Sequence, residues 1–110
     1  MSTVICKVDD LTKNSGSCAL LSQNGQQQQI AIYYLPNTEQ KVFGLGNWDP
    51  IGQANVMSRG MVGSIDDELV VASPLYKQHF SLTTGKCLEQ EASLPVYELA
   101  IEDQNVVLKS

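Results

Sequence analysis

Cations are scarce in this chain. Seven lysines and arginines stand against twelve aspartates and glutamates, giving a formal net charge of −5. The cations are scattered and form no run, whereas a nucleic-acid surface needs clustered cations that displace counterions from phosphates. Nucleic acid is therefore not an expected partner, and an anionic membrane surface is disfavoured for the same reason. Long apolar runs are missing as well. Stretches such as Ile30-Ala31-Ile32-Tyr33-Tyr34-Leu35 fall far short of the ~18 residues a membrane-spanning helix requires. The opening Met1-Ser2-Thr3-Val4-Ile5-Cys6-Lys7 has no apolar leader region, and Asp9-Asp10 would interrupt one. The expected compartment is the cytoplasm.

Metal-binding residues are few. The three cysteines, Cys6, Cys18 and Cys87, lie far apart with no Cys-x-x-Cys, and His79 is the single histidine. An odd, dispersed set in a cytoplasmic chain argues against a disulfide framework, and a zinc site needs about four ligands. Buried or half-buried free thiols are expected instead. Asp66-Asp67-Glu68 lacks the spaced oxygens and turn glycine of a calcium loop, so it reads as a solvated hairpin tip. Gly44-Leu45-Gly46 does not extend into the Gly-x-Gly-x-x-Gly that opens a dinucleotide-binding helix. Ser73 has no nucleophile-elbow pattern. Asp49, before Pro50, reads as a turn residue rather than a general base, and His79, between Gln78 and Phe80, as a surface or hydrogen-bonding side chain.

What is present is a succession of short β-signals. A chain of 110 residues, 43% hydrophobic and 17% charged, suits a single globular domain over residues 1–110. Strands are expected at 4–8, 17–21, 30–35, 41–45, 68–72, 78–82, 96–102 and 106–109, from alternation and β-branched residues. Asn24-Gly25 marks a tight hairpin, with Gln26–Gln29 as the polar start of the returning strand. Thr83-Thr84-Gly85-Lys86 and Asp103-Gln104-Asn105 mark further turns. No helical period competes with this pattern, so the fold class is all-β, a sandwich or small barrel.

Two segments carry a more specific signal. The first is Asn47-Trp48-Asp49-Pro50-Ile51, continuing to Ser58-Arg59-Gly60. The second is Val71-Ala72-Ser73-Pro74-Leu75-Tyr76, followed by His79-Phe80-Ser81-Leu82-Thr83-Thr84-Gly85. Their prolines, the Ser-x-Gly after the first and the aromatic-x-Leu-x-x-Gly after the second resemble the two loops of a Rieske domain. Such a domain places Cys-Pro-His in one loop and Cys-Pro-x-His in the other, two Cys on one iron and two His on its neighbour. On that pattern Asp49 and Ser73 stand at the cysteine positions, and Ile51 and Tyr76 at the histidine positions. All four have changed chemistry, so no iron–sulfur cluster and no other cofactor, metal or catalytic centre is expected on this chain.

The combination is similar to the small subunit of the bacterial NAD(P)H-dependent nitrite reductase, nearly end to end. That resemblance implies a Rieske-like sandwich with a smaller loop-bearing subdomain, and a role as a non-catalytic accessory subunit. It implies a large catalytic subunit as partner, carrying FAD, siroheme and a [4Fe–4S] cluster and reducing nitrite to ammonium in nitrate assimilation. Ile51 and Tyr76 are expected to help fill the vacant centre. Trp48, Pro50, Arg59, Pro74, Leu75 and Tyr76 either pack inward as core or form the face that meets the partner, since Trp, Tyr and Arg often dominate interfaces. The alternative is a free-standing Rieske-like binding module of another oxidoreductase or a regulatory complex.

Overall fold

The computed structural model describes residues 2–23, 25–75 and 77–109, with the backbone alone at positions 2 and 23. In chain order the strands are β1 (Ser2–Lys7), β2 (Ser15–Gln23), β3 (Gln26–Tyr34), β4 (Val42–Gly46), β5 (Trp48–Asp49) and β6 (Ala54–Asn55). There follow β7 (Met61–Ile65), β8 (Glu68–Ala72), β9 (His79–Ser81), β10 (Val96–Tyr97), β11 (Leu99–Glu102) and β12 (Asn105–Lys109). Short 3₁₀ turns at Val8–Asp10 and Met57–Arg59 complete the elements, and no α-helix occurs among the described residues.

Every sheet is antiparallel. The largest has the order β10-β4-β3-β2, the second β1-β12-β11, and β7-β8-β9 forms a smaller third. A two-stranded ribbon, β5-β6, lies inside the first loop. The β2–β3 hairpin is the longest pairing, from Ser15↔Tyr34 to Gln23↔Gln26. Its turn falls at positions 24 and 25. Gly25 there has φ +77°, which glycine adopts without strain; Asn24 lies outside the described residues.

β3 organises the packing because both of its faces are covered. Gln26–Gln29 are exposed, but Ile30, Ala31, Ile32 and Tyr33 are all buried. Side chains alternate across a strand. Ile30 and Ile32 join one core with Leu21, Val42, Leu99, Val106 and Leu108, beneath the β1-β12-β11 sheet. Ala31 and Tyr33 join the other with Phe43, Met57, Val71, Phe80 and Leu82, beneath the β7-β8-β9 sheet. Burying each large side chain contributes roughly 1.5–3 kcal/mol, so two small cores on one shared sheet hold the chain. Gly44 is needed in that sheet: a Cβ there would lie 2.8 Å from Leu99 Cδ1.

Three expectations need correction. The strand expected over 96–102 is two strands. β10 pairs with β4, and β11 pairs with β12 in a different sheet; Glu98 marks the switch, its carbonyl accepting from Lys109 N at 2.8 Å. β7 was not anticipated, because Met61–Ile65 has only Val62 and Ile65 partly buried and Gly63 interrupts it. Cys18 is exposed rather than buried, whereas Cys6 and Cys87 are half-buried free thiols. It lies on β2, whose exposed positions border the polar Gln29 and Asn47.

Candidate functional site

β4 delivers the chain to a first loop, residues 47–60, and β8 to a second, residues 73–78. Asn47 anchors the first. It is buried, its side-chain carbonyl accepts from Ser58 N at 2.7 Å, and its amide donates to Gln29 Oε1 at 2.9 Å. The backbone of Met57 donates to the Asn47 carbonyl, and the Tyr33 hydroxyl donates to the Met57 carbonyl at 2.6 Å from within the core. The start and end of the loop are thus fastened to β3.

Asp49 forms the turn of this loop. One carboxylate oxygen accepts from Ile51 N at 2.8 Å and Gly52 N at 3.1 Å, and its carbonyl accepts from Gln53 N at 2.7 Å. This is the side-chain-to-backbone pattern that favours Asp in turns. Its other oxygen accepts from the hydroxyl of Ser73, and both residues are almost wholly buried. Ser73 also shapes its own loop: its hydroxyl accepts from Leu75 N at 3.3 Å and its N–H donates to Gln78 O at 2.9 Å. Asp49 and Ser73 are therefore joined directly, carboxylate to hydroxyl, across the two loops.

Around this clasp, Ile51 is partly buried and packs against the core that contains Phe43, Val71 and Phe80. Tyr76, expected to help fill the centre, lies outside the described residues. Leu75 closes over Gly52, where an added Cβ would meet Leu75 Cδ1 at 2.4 Å. Trp48 is 49% exposed and Leu75 45% exposed, with Pro50 and Pro74 half-buried beside them. Arg59, at the end of the Met57–Arg59 turn, is exposed and makes no salt bridge among the described residues.

The groups at Asp49, Ser73 and Ile51 do not fit a Rieske cluster. Thiolate and imidazole hold such iron, whereas Asp49 offers a carboxylate already committed to three donors, Ser73 a hydroxyl and Ile51 an alkyl group. The thiols sit on β1, on β2 and after β9. His79 is engaged elsewhere, its Nδ1 2.7 Å from Glu89 Oε2. No group of three or more His, Cys, Asp or Glu placed to hold a metal ion occurs among the described residues.

Sequence reasoning missed Glu89. Its carboxylate takes the His79 backbone N–H at 2.7 Å as well as the ring, and those contacts, the backbone bond first, hold its pKa below the ordinary carboxylate value. It also missed Tyr97, whose hydroxyl donates to Gln28 Oε1 at 2.7 Å across the mouth of the first loop. Neither pairing has a local signal, since each joins residues ten or more positions apart. No helix among the described residues is long and apolar enough to cross a membrane.

Comparison with known proteins places this geometry in a family. The Rieske-like [2Fe-2S] domain family matches residues 2–109. The nitrite reductase (NADH) small subunit of Escherichia coli strain K12 is 42% identical over 106 residues, covering 96% of this chain and 94% of that protein. The solution structure of the nitrite reductase NAD(P)H small subunit from Erwinia carotovora is 43% identical, with a TM-score of 0.78 over 99% of this chain and 81% of that one. A stretch of the Klebsiella oxytoca nitrite reductase NAD(P)H large subunit is 33% identical over 103 residues, covering 93% of this chain and 10% of that protein. By these likenesses, and by a Rieske-like fold met along nearly its whole length, the chain belongs to the nitrite reductase small-subunit family.

Proposed function

We propose that this chain is the accessory small subunit of a cytoplasmic, assimilatory NAD(P)H-dependent nitrite reductase, and that it carries no catalytic centre or cluster of its own. The observation that carries this reading is the Asp49–Ser73 clasp. The loops that would present a cluster are closed on each other by a carboxylate and a hydroxyl. Neither group accepts or relays an electron. The redox groups, FAD, siroheme and a [4Fe–4S] cluster, then belong to the large subunit, which moves electrons from reduced nicotinamide to nitrite. The Klebsiella large subunit supports the pairing, because it contains a stretch similar to this chain.

The docking face in this reading is the pair of loop tips, with Trp48, Pro50, Pro74, Leu75 and Arg59; Tyr76, also expected there, lies outside the described residues. Each loop exposes one large apolar side chain, Trp48 in the first and Leu75 in the second, and exposed apolar and aromatic residues are the usual material of binding surfaces. The clasp keeps the two tips in register, so binding does not have to order them first.

The test is nitrite-dependent oxidation of NAD(P)H by the large subunit, with and without this chain, alongside gel filtration of the mixture. Complex formation with a gain in activity or lifetime is the expected result. Trp48→Ala and Leu75→Ala should stay folded and weaken the complex roughly tenfold or more each. A large subunit that neither binds the chain nor responds to it would sink the proposal. The purified chain should be colourless with substoichiometric iron; a stoichiometric cluster spectrum would refute the absence of a redox role.

A further inference from the structure

The sheets differ in how their edges are finished. A strand edge offers unpaired N–H and C=O groups to any other strand, and folded proteins blunt such edges by shortness, bulges, charges or proline. Here β10 has two residues and β9 three, and β9 is bridged at Phe80 by Cys87. β7 has five residues interrupted by Gly63, β11 has four and ends in Glu102, and β1 is bulged between Val4 and Cys6. β2 has none of these devices. It runs for nine residues, Ser15–Gln23, in unbroken register with β3 and without a charge or a proline. None of the chain's seven cations or twelve carboxylates falls between Asn14 and Thr38, so the whole β2–β3 hairpin is uncharged.

Hydrogen-bond parity identifies the free backbone groups of β2. In an antiparallel strand a residue's N–H and C=O point to the same side, and successive residues alternate. The Gln29 carbonyl accepts from Asn47 N at 3.1 Å, on the β4 side of β3, so Gln28, Ile30 and Ile32 turn toward β2. Tyr34 agrees, its carbonyl accepting from Asn14 N at 2.7 Å. The residues opposite them, Leu21, Ala19 and Ser17, therefore bond to β3. Gly16, Cys18, Leu20 and Ser22 aim their groups outward, and among the described residues no other backbone bonds to them. The carbonyl of Ser58 overlies Gly16, so the open part runs from Cys18 to Ser22. All three of its outward residues are exposed, Leu20 to 63%.

We propose that the β2 edge pairs with the β2 edge of a second copy of this chain, antiparallel, across a twofold axis at Leu20. That axis sets Leu20 opposite its own counterpart and Cys18 opposite Ser22, which uses every open residue of both copies. The groups that fit such an edge are those of another extended strand, and a second copy brings one with the same free residues at the same spacing. Charge favours the same occupant. Each copy carries −5, and across the uncharged hairpins two copies meet without setting like charges face to face. The repulsion that remains is long-range, so added salt should strengthen the pairing. Such pairing does not depend on the accessory-subunit reading, because β2 belongs to neither loop.

Sedimentation equilibrium of the full chain, with reductant present so that Cys18 cannot link copies covalently, should show a monomer–dimer equilibrium between micromolar and millimolar concentration. Leu20→Pro removes an outward N–H from each copy and no bond to β3, and should weaken dimerisation roughly tenfold or more, for two net hydrogen bonds lost. Leu20→Lys, a change at an exposed side chain that places two like charges on the axis, should do the same and keeps the test open should the proline distort the strand. Met61→Lys, at an exposed apolar residue of the β7 edge, should leave dimerisation unchanged. Hydrogen exchange by NMR reads the parity itself. The amides of Cys18, Leu20 and Ser22 should gain protection as the chain is concentrated, while those of Ser17, Ala19 and Leu21 stay protected throughout. A chain that is monomeric at millimolar concentration overturns the proposal. So does a dimer that Leu20→Lys leaves intact, one that salt dissolves, or one in which the three outward amides gain no protection.

Discussion

The Ser73 hydroxyl donates to the Asp49 carboxylate and joins, at one buried point, the loops that leave β8 and β4. The same carboxylate holds the turn of its own loop through Ile51 N and Gly52 N. Asp49 is therefore the hub, and Ser73 one of three spokes.

That asymmetry sets an order of stabilities. Ser73→Ala removes one hydrogen bond to a charged acceptor, at a cost of about 1.5–3 kcal/mol, together with the longer bond from Leu75 N at 3.3 Å. Asp49→Ala leaves three donors without their acceptor, each costing about 1–3 kcal/mol before water or relaxation repairs it. Urea unfolding should place Asp49→Ala clearly below Ser73→Ala. Equal losses would mean that the clasp matters only as a pair and that the turn holds itself.

Gly52→Ala tests the roof over this clasp. The new methyl would meet Leu75 Cδ1 at 2.4 Å, and a flexible side-chain tip gives way more easily than backbone. The variant should keep most of its stability and lose affinity for the large subunit, because Leu75 is turned out of place. Surface plasmon resonance and a thermal melt on the same samples separate the two effects; undiminished affinity would remove Leu75 from the docking face.

Tyr33 should govern part of the alkaline limit. Burial pushes its phenol well above the ordinary value of 10.0. Above pH 10 the unfolded chain releases a proton that the folded chain keeps. The stability from this group is therefore complete below pH 10 and is lost as pH rises toward the folded value. Tyr33→Phe should cost about 0.5–1.5 kcal/mol at neutral pH, from the bond to Met57 O, yet unfold less steeply with alkali. Tyr97, shifted upward by burial as well, leaves a residual slope. Identical pH profiles for variant and parent would contradict this account.

Glu89 acts at the acid end with the opposite sign. Its pKa lies below the ordinary 4.5, chiefly through the His79 backbone N–H. Its contribution is present above pH 4.5 and fades as pH falls through the lower, folded value. The site is largely exposed, so the effect is small. Carbon-detected NMR should find the Glu89 carboxyl titrating below 4.5 and shifting back toward it in His79→Ala only in part, because the backbone donor remains. A full return would assign the shift to the ring instead.

Much of the fold was legible because its signals are local. A short apolar run before Pro36 marked β3, and Gly25, at φ +77°, lies at the turn of the longest hairpin. Gly85, at φ +76°, turns the chain after Ser81, whose hydroxyl accepts from Thr83 N and Thr84 N, as Thr83-Thr84-Gly85-Lys86 suggested. Asp66 and Asp67, both at positive φ, form the tip between β7 and β8 where a solvated hairpin was expected. Strand exchange at Glu98 was not legible, since β-branched and aromatic residues on either side of it read as one run. The site divided the same way. Motif spacing singled out Asp49 and Ser73, but that they bind each other across 24 residues is a product of tertiary packing. Trp48 lay in the first motif, but that it lines one groove with Pro95 and Tyr97 was not legible, for these come from opposite halves of the chain.

The pairing of β1 with β12 sets Ser2 opposite Lys109, so the two ends of the domain leave it side by side. A unit built this way can be spliced into a longer polypeptide, or have its ends joined and be reopened at the Asp66-Asp67 tip, without unzipping any sheet. Its architecture is portable, which suits a module met both as a separate small subunit in one bacterium and as a tenth of a large subunit in another.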